Sequence, residues 1–586
     1  MISSVIQYFD EAWRELTAKG SGFAMTEIEV RGAPMRVYDS APPTMRSIWE
    51  LAQHHGDKPY VVFEDESYTY AEIGAQVRAL AHHLRDAHGV GSGDRVAIAM
   101  RNYPEWVVSY WATVAVGAAV VGVNAWWTSQ ELAYGLGDSR PTVLIADDER
   151  LARVLPVLDE LRSSAPLSII SVRSDRELPE HAARWADVVG PTSEGSAAPE
   201  TLPEATIDPD DDVTIFYTSG TTGSPKGAQI THRGSVHNIL NIAFMTTAAS
   251  LAEAKAIAAG ELPAPIAPAG AQAPQHVFMA PTPLFHVTAN NCILHPCTLI
   301  GGKIVFMHKW DTGRALELIE RERVTNISGV PTMSRELLLH PDWSKRDMSS
   351  LKLMGGGGAP LQPDLVDKID KSLATGAPST GYGLTETSGI VTANASRLYL
   401  AKPASCGRVV PTLDAKLVDE LGDDVPAGQD ALGELCVRGA VVIKGYLNRP
   451  EATADAIRDG WFRTGDIARI DEDGFVFIVD RAKDMVLRGG ENVYCSEVES
   501  AIYEHPDIAE AAVFGVPDER LGEDVAAAVV LRDGAALTAA DLQAFLAERI
   551  AKYKIPATIW MRGEALPRNA NGKFLKRELR NELLGS

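Results

Sequence analysis

Cysteine is scarce in this chain: five thiols in 586 residues, odd in number and scattered at positions 292, 297, 406, 436 and 495. No C-x-x-C occurs, so neither a disulfide framework nor a zinc ribbon is expected. Basic charge is in deficit. Lys and Arg number 55 against 78 Asp and Glu, a net charge of −23. Such a surface repels phosphate backbones, which argues against a general nucleic-acid binder. Met1–Glu15 carries Asp10 and Glu11 and has no basic stretch before an apolar run, so no secretory leader is expected. Long apolar runs are nearly absent as well. The exception, Trp106–Gln130, has no charged residue and could span a bilayer by length. Gly117, Gly122 and Asn124 interrupt it and its basic flanks are weak. It reads instead as a buried helix to about Val116 and a buried strand Ala118–Val123. No internal repeat is present.

What remains is an ordinary globular composition, 45% hydrophobic and 23% charged. The length suits about three to five structural units. The first half alternates strands and helices. Tyr60–Glu64 and Tyr68–Tyr70 read as a hairpin, Ala71–Ala87 as a helix, and Arg95–Met100 and Val143–Ala146 as strands. This rhythm predicts parallel sheets covered by helices. Gly190–Asp212 and the Ala- and Pro-rich stretch Ala248–Pro274 read as surface loops or irregular insertions. From about Ala404 to Asp480 short strands with frequent Gly and Asp predict a small β-rich subdomain. After Lys483 the pattern becomes helix Glu497–Tyr503, strands Ala511–Val516 and Asp524–Leu531, and helix Ala539–Lys552, enough for a small α+β domain. The expected fold is therefore α/β: a large N-terminal domain, residues 1–482, of two helix-covered sheets plus the β-rich subdomain, followed by a small α+β domain, 483–586. Lys552–Ser586 holds eight Lys or Arg against three Glu, a local positive end on an acidic protein.

The strongest chemical signal is Tyr217-Thr218-Ser219-Gly220-Thr221-Thr222-Gly223-Ser224-Pro225-Lys226-Gly227, directly after the mostly apolar Val213–Phe216. Glycines permit close backbone approach, amide hydrogens form an anion nest, hydroxyls donate further, and Lys226 adds a point charge. The composition also suits a flexible linker. It is not a Walker A loop, because no G-K-[ST] is present. His276, His286 and His295 match no standard metal spacing. A lone His is more often structural than catalytic, a loop Glu is usually solvated, and most surface Lys residues are inert.

These eleven residues resemble the signature of the adenylate-forming enzymes, which include acyl- and aryl-CoA synthetases, peptide-synthetase adenylation domains and firefly luciferase. Further motifs follow in the family's order, and the resemblance runs from about Thr44 to Arg577. It implies that Thr218, Ser219, Gly220, Thr221, Thr222 and Lys226 hold the β- and γ-phosphates of ATP. Pro283-Leu284-Phe285-His286 is similar to the aromatic motif beside the acyl site, with His286 lining and gating the pocket. Gly355–Pro360 is similar to the segment along adenine and acyl group, through Gly357, Ala359 and Pro360. In Thr380–Thr387 the resemblance places Gly381, Tyr382 and Gly383 at the nucleotide, Thr385 on the α-phosphate and Glu386 on Mg²⁺. Asp466 and Arg481 are expected at the ribose, with Lys483 as hinge of the mobile small domain. Gly489, Gly490 and Glu491 resemble the CoA tunnel segment. Pro567–Lys573 resembles the motif of the catalytic lysine, Lys573. The catalytic set implied is Lys573, Lys226, His286, Thr385 and Glu386, and the acyl pocket His286, Val330, Gly356 and Gly381.

The expected activity is an ATP- and Mg²⁺-dependent acyl-CoA synthetase, with a carboxylic acid, ATP and CoA as partners. A medium- or long-chain fatty acid is favoured. The alternatives are an aryl or arylpropenoate-CoA ligase, an acyl-AMP ligase loading a carrier protein, an oxygenase of the luciferase type, and a silent acyl-nucleotide sensor. A cytoplasmic location is expected, with loose attachment to a membrane surface as the alternative. The family resemblance is compatible with a homodimer.

Overall fold

The computed structural model describes residues 2–190, 199–218, 225–262, 274–358, 361, 363–373, 376–426, 428, 431–489, 491–569 and 572–585. Two large sheets organise the first 481 residues. One has eight strands in the spatial order Gly445–Tyr446, Lys226–Thr231, Asp212–Thr218, Ala119–Gly122, Arg95–Ala99, Val143–Asp147, Ser168–Val172 and Ala182–Arg184. Its centre is parallel, and only Lys226–Thr231 and its edge partner run against their neighbours. The second sheet has a parallel core, Pro59–Phe63, Lys303–Phe306, Val277–Ala280, Asn326–Gly329, Leu353–Gly357 and Ala377–Leu384. It continues without a break through antiparallel Gly389–Ala395 and Gly407–Val409 into Phe475–Arg481, Trp461–Ile470, Gly433–Gly439 and Leu413–Val418. The β-rich stretch is thus an extension of this sheet.

One hydrophobic core joins the two sheets. It contains Val96, Ile98 and Val120 from the first, Tyr60, Val61 and Ile304 from the second, and Trp106, Tyr110 and Trp111 from the helix between them. The first part of Trp106–Gln130 lies here, in helix Pro104–Ala115 and strand Ala119–Gly122, every residue of both buried except Glu105. The Pro at the helix start and Gly117 at its end, with φ +81°, set those limits. Among the described residues no helix is long and apolar enough to cross a membrane.

Helix His232–Ala258 corrects one expectation. Residues 248–258, read as irregular from their Ala and Pro content, extend this helix by three turns. Alanine is the best helix former, and the first proline falls only at Pro263; residues 263–273 lie outside the described set. The small domain packs helices Cys495–Tyr503 and Ala539–Ala547 on a sheet of Val486–Arg488, Glu491–Val493, Ile508–Asp518, Gly522–Leu531 and Thr558–Arg562.

Candidate active site

Chain connections after several strands of both sheets converge on one cleft, which the small domain covers. Strands Asp212–Thr218 and Lys226–Thr231 pair antiparallel with Thr218 opposite Lys226, at the two ends of the glycine-rich segment. Its residues Ser219, Gly220, Thr221 and Thr222 lie outside the described residues. Ala228 faces Tyr446 on the edge strand. Two residues earlier, the strand period brings Lys226 to the same side, with its Nζ 4.9 Å from the Tyr446 ring centre. The Tyr446 hydroxyl donates to Glu386 Oε1 at 2.9 Å. Tyr446 therefore stands between the loop lysine and Glu386, a role that the motifs did not indicate.

Glu386 sits in a short 3₁₀ turn, Thr385–Thr387. Its carbonyl accepts from Ile443 N at 2.9 Å. Asn291 and Val441 hold the next residue, Ser388, at 2.9 and 2.7 Å. Just before the turn, a Cβ at Gly383 would stand 1.9 Å from the Gly389 carbonyl oxygen, so only glycine fits. Among the described residues no three His, Cys, Asp or Glu side chains converge as a metal site. A single carboxylate such as Glu386 suits Mg²⁺, which takes one or two carboxylates together with substrate phosphates.

Asp466 and Arg481 are opposite each other in an antiparallel pair, and their side chains meet at 3.2 Å. The Tyr382 hydroxyl donates to the other oxygen of Asp466 at 2.6 Å. Burial pushes the Asp466 carboxyl above the usual range, partly offset by Arg481 and the Tyr382 hydrogen bond. It also pushes the Tyr382 phenol well up, reinforced by Asp466.

Lys573 enters from the small domain. Its turn is closed by Asn569 N to Lys573 O at 2.8 Å, Gly572 N to Asn569 O at 2.9 Å, and Lys573 N to Asn569 Oδ1 at 3.0 Å. Arg568 stacks on Phe574 at 4.1 Å and donates to Gly572 O at 2.9 Å and Glu510 at 2.8 Å. Gly572 has φ +75°, and a Cβ there would lie 3.0 Å from Val330 Cγ2. The side chain reaches Gly358, where an added Cβ would stand 3.3 Å from Lys573 Cε. Desolvation, then the nearby Arg481 charge, lower the ammonium to about 8, against the pull of Asp466 and Glu386. His286 is held down to about 3, first by burial and then by Lys573, so the imidazole is neutral at neutral pH.

Beside Tyr382 a cavity of about 390 Å³ runs between helix His232–Ala258 and the second sheet. Ile242, Met245, Thr246, Ala249, Ser250 and Glu253 line it along one helix face. Gly356, Gly357, Gly358, Gly381 and Gly383 form much of the opposite wall, and Val287, Thr288 and Cys292 also line it. Gly356 and Gly381 are therefore at the cavity. Val330 packs instead against the Lys573 turn. Ala359, Pro360 and Gly490 lie outside the described residues. Gly489 donates to Leu521 O at 2.9 Å, and Glu491 pairs with Arg488, contacts within the small domain. Lys483 is exposed in the turn between the last strand of the large domain and the first of the small one.

The "AMP-binding enzyme" family profile matches residues 48–447, and that of the "AMP-binding enzyme C-terminal domain" matches 497–573. A feruloyl-CoA synthase of an Amycolatopsis species is 37% identical over 517 residues, 87% of this chain and 93% of the relative. A long-chain-fatty-acid–CoA ligase of Bacillus subtilis (strain 168) is 33% identical over 564 residues, 92% of this chain and 94% of the relative. Among solved structures, an o-succinylbenzoate CoA synthetase from Bacillus subtilis in complex with its acyl-adenylate intermediate superposes with a TM-score of 0.73 at 28% identity. That match covers 92% of this chain and 98% of the other.

Proposed function

The chain belongs to the family of AMP-binding, adenylate-forming enzymes, an AMP-forming acid–thiol ligase, and on that premise we propose that it converts a medium- or long-chain alkyl acid to its CoA thioester. In the first half-reaction a carboxylate oxygen attacks the α-phosphorus of ATP. The bond to the β-phosphate oxygen breaks, and pyrophosphate leaves. In the second, the thiol of CoA attacks the acyl carbon, loses its proton, and AMP departs.

Positioning and charge stabilisation carry the first step. The loop through Lys226 holds the β- and γ-phosphates. Glu386 would hold Mg²⁺, which would supply charge neutralisation when bound. Thr385 donates to the α-phosphate. Asp466 and Arg481 take the ribose hydroxyls, and Tyr382 lies along the base, fixed through its hydroxyl on Asp466. Lys573 orients the carboxylate and offsets charge building on the α-phosphate. Its proximity to Gly358, Asp466 and Glu386 supports assignment of this conformation to adenylation. Rotation about Lys483 then withdraws Lys573 and brings the Gly489–Glu491 segment to the cleft for thioester formation. His286 lines the route between cleft and cavity as a neutral gate, since a group near 3 is poorly matched to general-base work at neutral pH.

The observation that supports an alkyl acid is the shape of the cavity. Its helix wall runs from Ile242 to Glu253, eleven steps of about 1.5 Å, or about 16 Å. Bonds of about 1.5 Å at tetrahedral angles advance an extended alkyl chain by about 1.25 Å each, so that length takes roughly thirteen carbons. The 37% identity to a feruloyl-CoA synthase favours an arylpropenoate as the second reading. Pyrophosphate release across alkyl and aromatic acids, with and without CoA, decides between them. Multiple turnover on alkyl acids only with CoA is expected. Turnover confined to arylpropenoates refutes the alkyl assignment, and a single turnover indifferent to CoA points to a carrier-protein acceptor.

A further inference from the structure

Helix Ile2–Leu16 precedes the stretch that the family profile matches. It packs along the last turns of helix His232–Ala258. Lys255 pairs with Glu15 at 3.2 Å, Tyr8 donates to Glu261 at 3.1 Å, and Trp13 meets Phe244 edge-on at 4.7 Å. Arg408 pins the same helix from the sheet side, paired with Asp10 and lying 5.7 Å from the Phe9 ring centre. Phe9 is fully buried, in one cluster with Ala252 and Leu398, and its ring lines the cavity. The two ends of that cavity are distinguishable. Asn238, one turn before Ile242, holds Ile390 N at 2.9 Å beside the Glu386 turn, so Ile242 marks the reaction end. Glu253 marks the other, and Lys255 just beyond it pairs with Glu15, so helix Ile2–Leu16 lies there.

We propose that Phe9 is a specificity-determining residue: its ring closes the distal part of the acyl cavity and sets the longest alkyl chain that the enzyme accepts. This rests on the alkyl-acid reading above. Ala249, Ser250 and Glu253 beside it are small or polar, and Leu398 of the same cluster also lines the cavity, so Phe9 supplies the aromatic stop there. A chain that outgrows the cavity meets a ring that cannot retreat, because it is held between Arg408 and the helix bundle.

The test is the acyl-length profile of pyrophosphate release, as kcat/KM for saturated acids of four to eighteen carbons. Phe9→Ala should move the optimum longer by at least two carbons. Two newly accommodated methylenes raise kcat/KM for the longest acids roughly tenfold, while acids of four to six carbons change little. Phe9→Trp should move the optimum shorter. Trp13→Ala, which loosens the same helix without lining the cavity, should lower the melting temperature and leave the profile in place. A uniform loss across all lengths in Phe9→Ala, or the same displacement in Trp13→Ala, overturns the proposal. If Phe9→Ala does not fold, Phe9→Leu gives the same comparison with a smaller expected displacement. A wild-type enzyme active only on arylpropenoates refutes the alkyl reading. Para-alkyl cinnamates then test Phe9 separately, and an unchanged response to para-chain length in Phe9→Ala refutes its role as the stop.

Discussion

Gly572→Ala tests how the small domain delivers Lys573. Gly572 sits at φ +75° and its missing Cβ would lie 3.0 Å from Val330 Cγ2. Left-handed backbone costs a Cβ-bearing residue about 1–2 kcal/mol, and crowding a packed contact adds about 1 kcal/mol. A total of about 2–3 kcal/mol acts on the conformation that places Lys573 in the cleft, and converts to roughly a 30- to 150-fold slower adenylation. The assay measures pyrophosphate release from ATP and acid, beside thioester formation from supplied acyl-AMP and CoA. The first should fall by that factor and the second by less than about threefold, since no Lys573 contact is needed there. The steric share is separable. Val330→Ala in the Gly572→Ala background should recover about fivefold, and a double-mutant cycle reads the coupling. Equal loss of both half-reactions, or no recovery with Val330→Ala, refutes the reasoning.

Lys573→Ala should slow adenylation by roughly 10²–10³, the usual cost of removing one transition-state charge donor, and leave thioester formation from acyl-AMP largely intact; stopped assays of each half-reaction decide. Because the Lys573 ammonium is lowered to about 8, kcat/KM for ATP in adenylation should fall as pH rises through about 8. Lys573→Arg, charged throughout, should lose that alkaline limb. Stability moves oppositely: a folded-state value below the ordinary 10.5 makes the charged lysine a folding cost. That cost is fully present below pH 8 and fades toward 10.5, so the Tm difference between wild type and Lys573→Met should shrink across that window. Tyr446→Phe keeps the ring beside Lys226 but removes the 2.9 Å hydrogen bond to Glu386. A bond to a charged acceptor is worth about 1.5–3 kcal/mol, so half-maximal adenylation should need roughly tenfold more Mg²⁺, and an unchanged Mg²⁺ titration would separate Tyr446 from Glu386.

Much of this arrangement is legible in the sequence because the chemistry sits where strands end. Apolar runs such as Val213–Phe216 and Leu351–Met354 lead into loops of Gly, Ser, Thr and Lys, and both patterns are local. Tyr446 is not legible, since a two-residue edge strand carries it and its partners Lys226 and Glu386 come from distant parts of the chain. The Asp466–Arg481 pair depends on register, which a bulge between Ile467 and Ala468 shifts. Phe9 lies in helix Ile2–Leu16, where the sequence prompted only the expectation of no leader, and its place depends on helix His232–Ala258 extending far enough to meet it. That extension is hidden when Ala248–Ala258 is averaged with the prolines beyond. Val330, expected at the acyl pocket from the family resemblance, lies against the Gly572 turn of the small domain, a contact between distant parts of the chain.

The two walls of the cavity differ in how freely they can change. The sheet wall is backbone and glycine at Gly356, Gly357, Gly381 and Gly383, continuous with Tyr382, so a side chain added there displaces the nucleotide site as well. The helix wall, Ile242 to Glu253, is built of side chains from a single helix. Substrate range can therefore drift, or be redesigned, by exchanging side chains on one face of one helix while the machinery of activation is inherited intact.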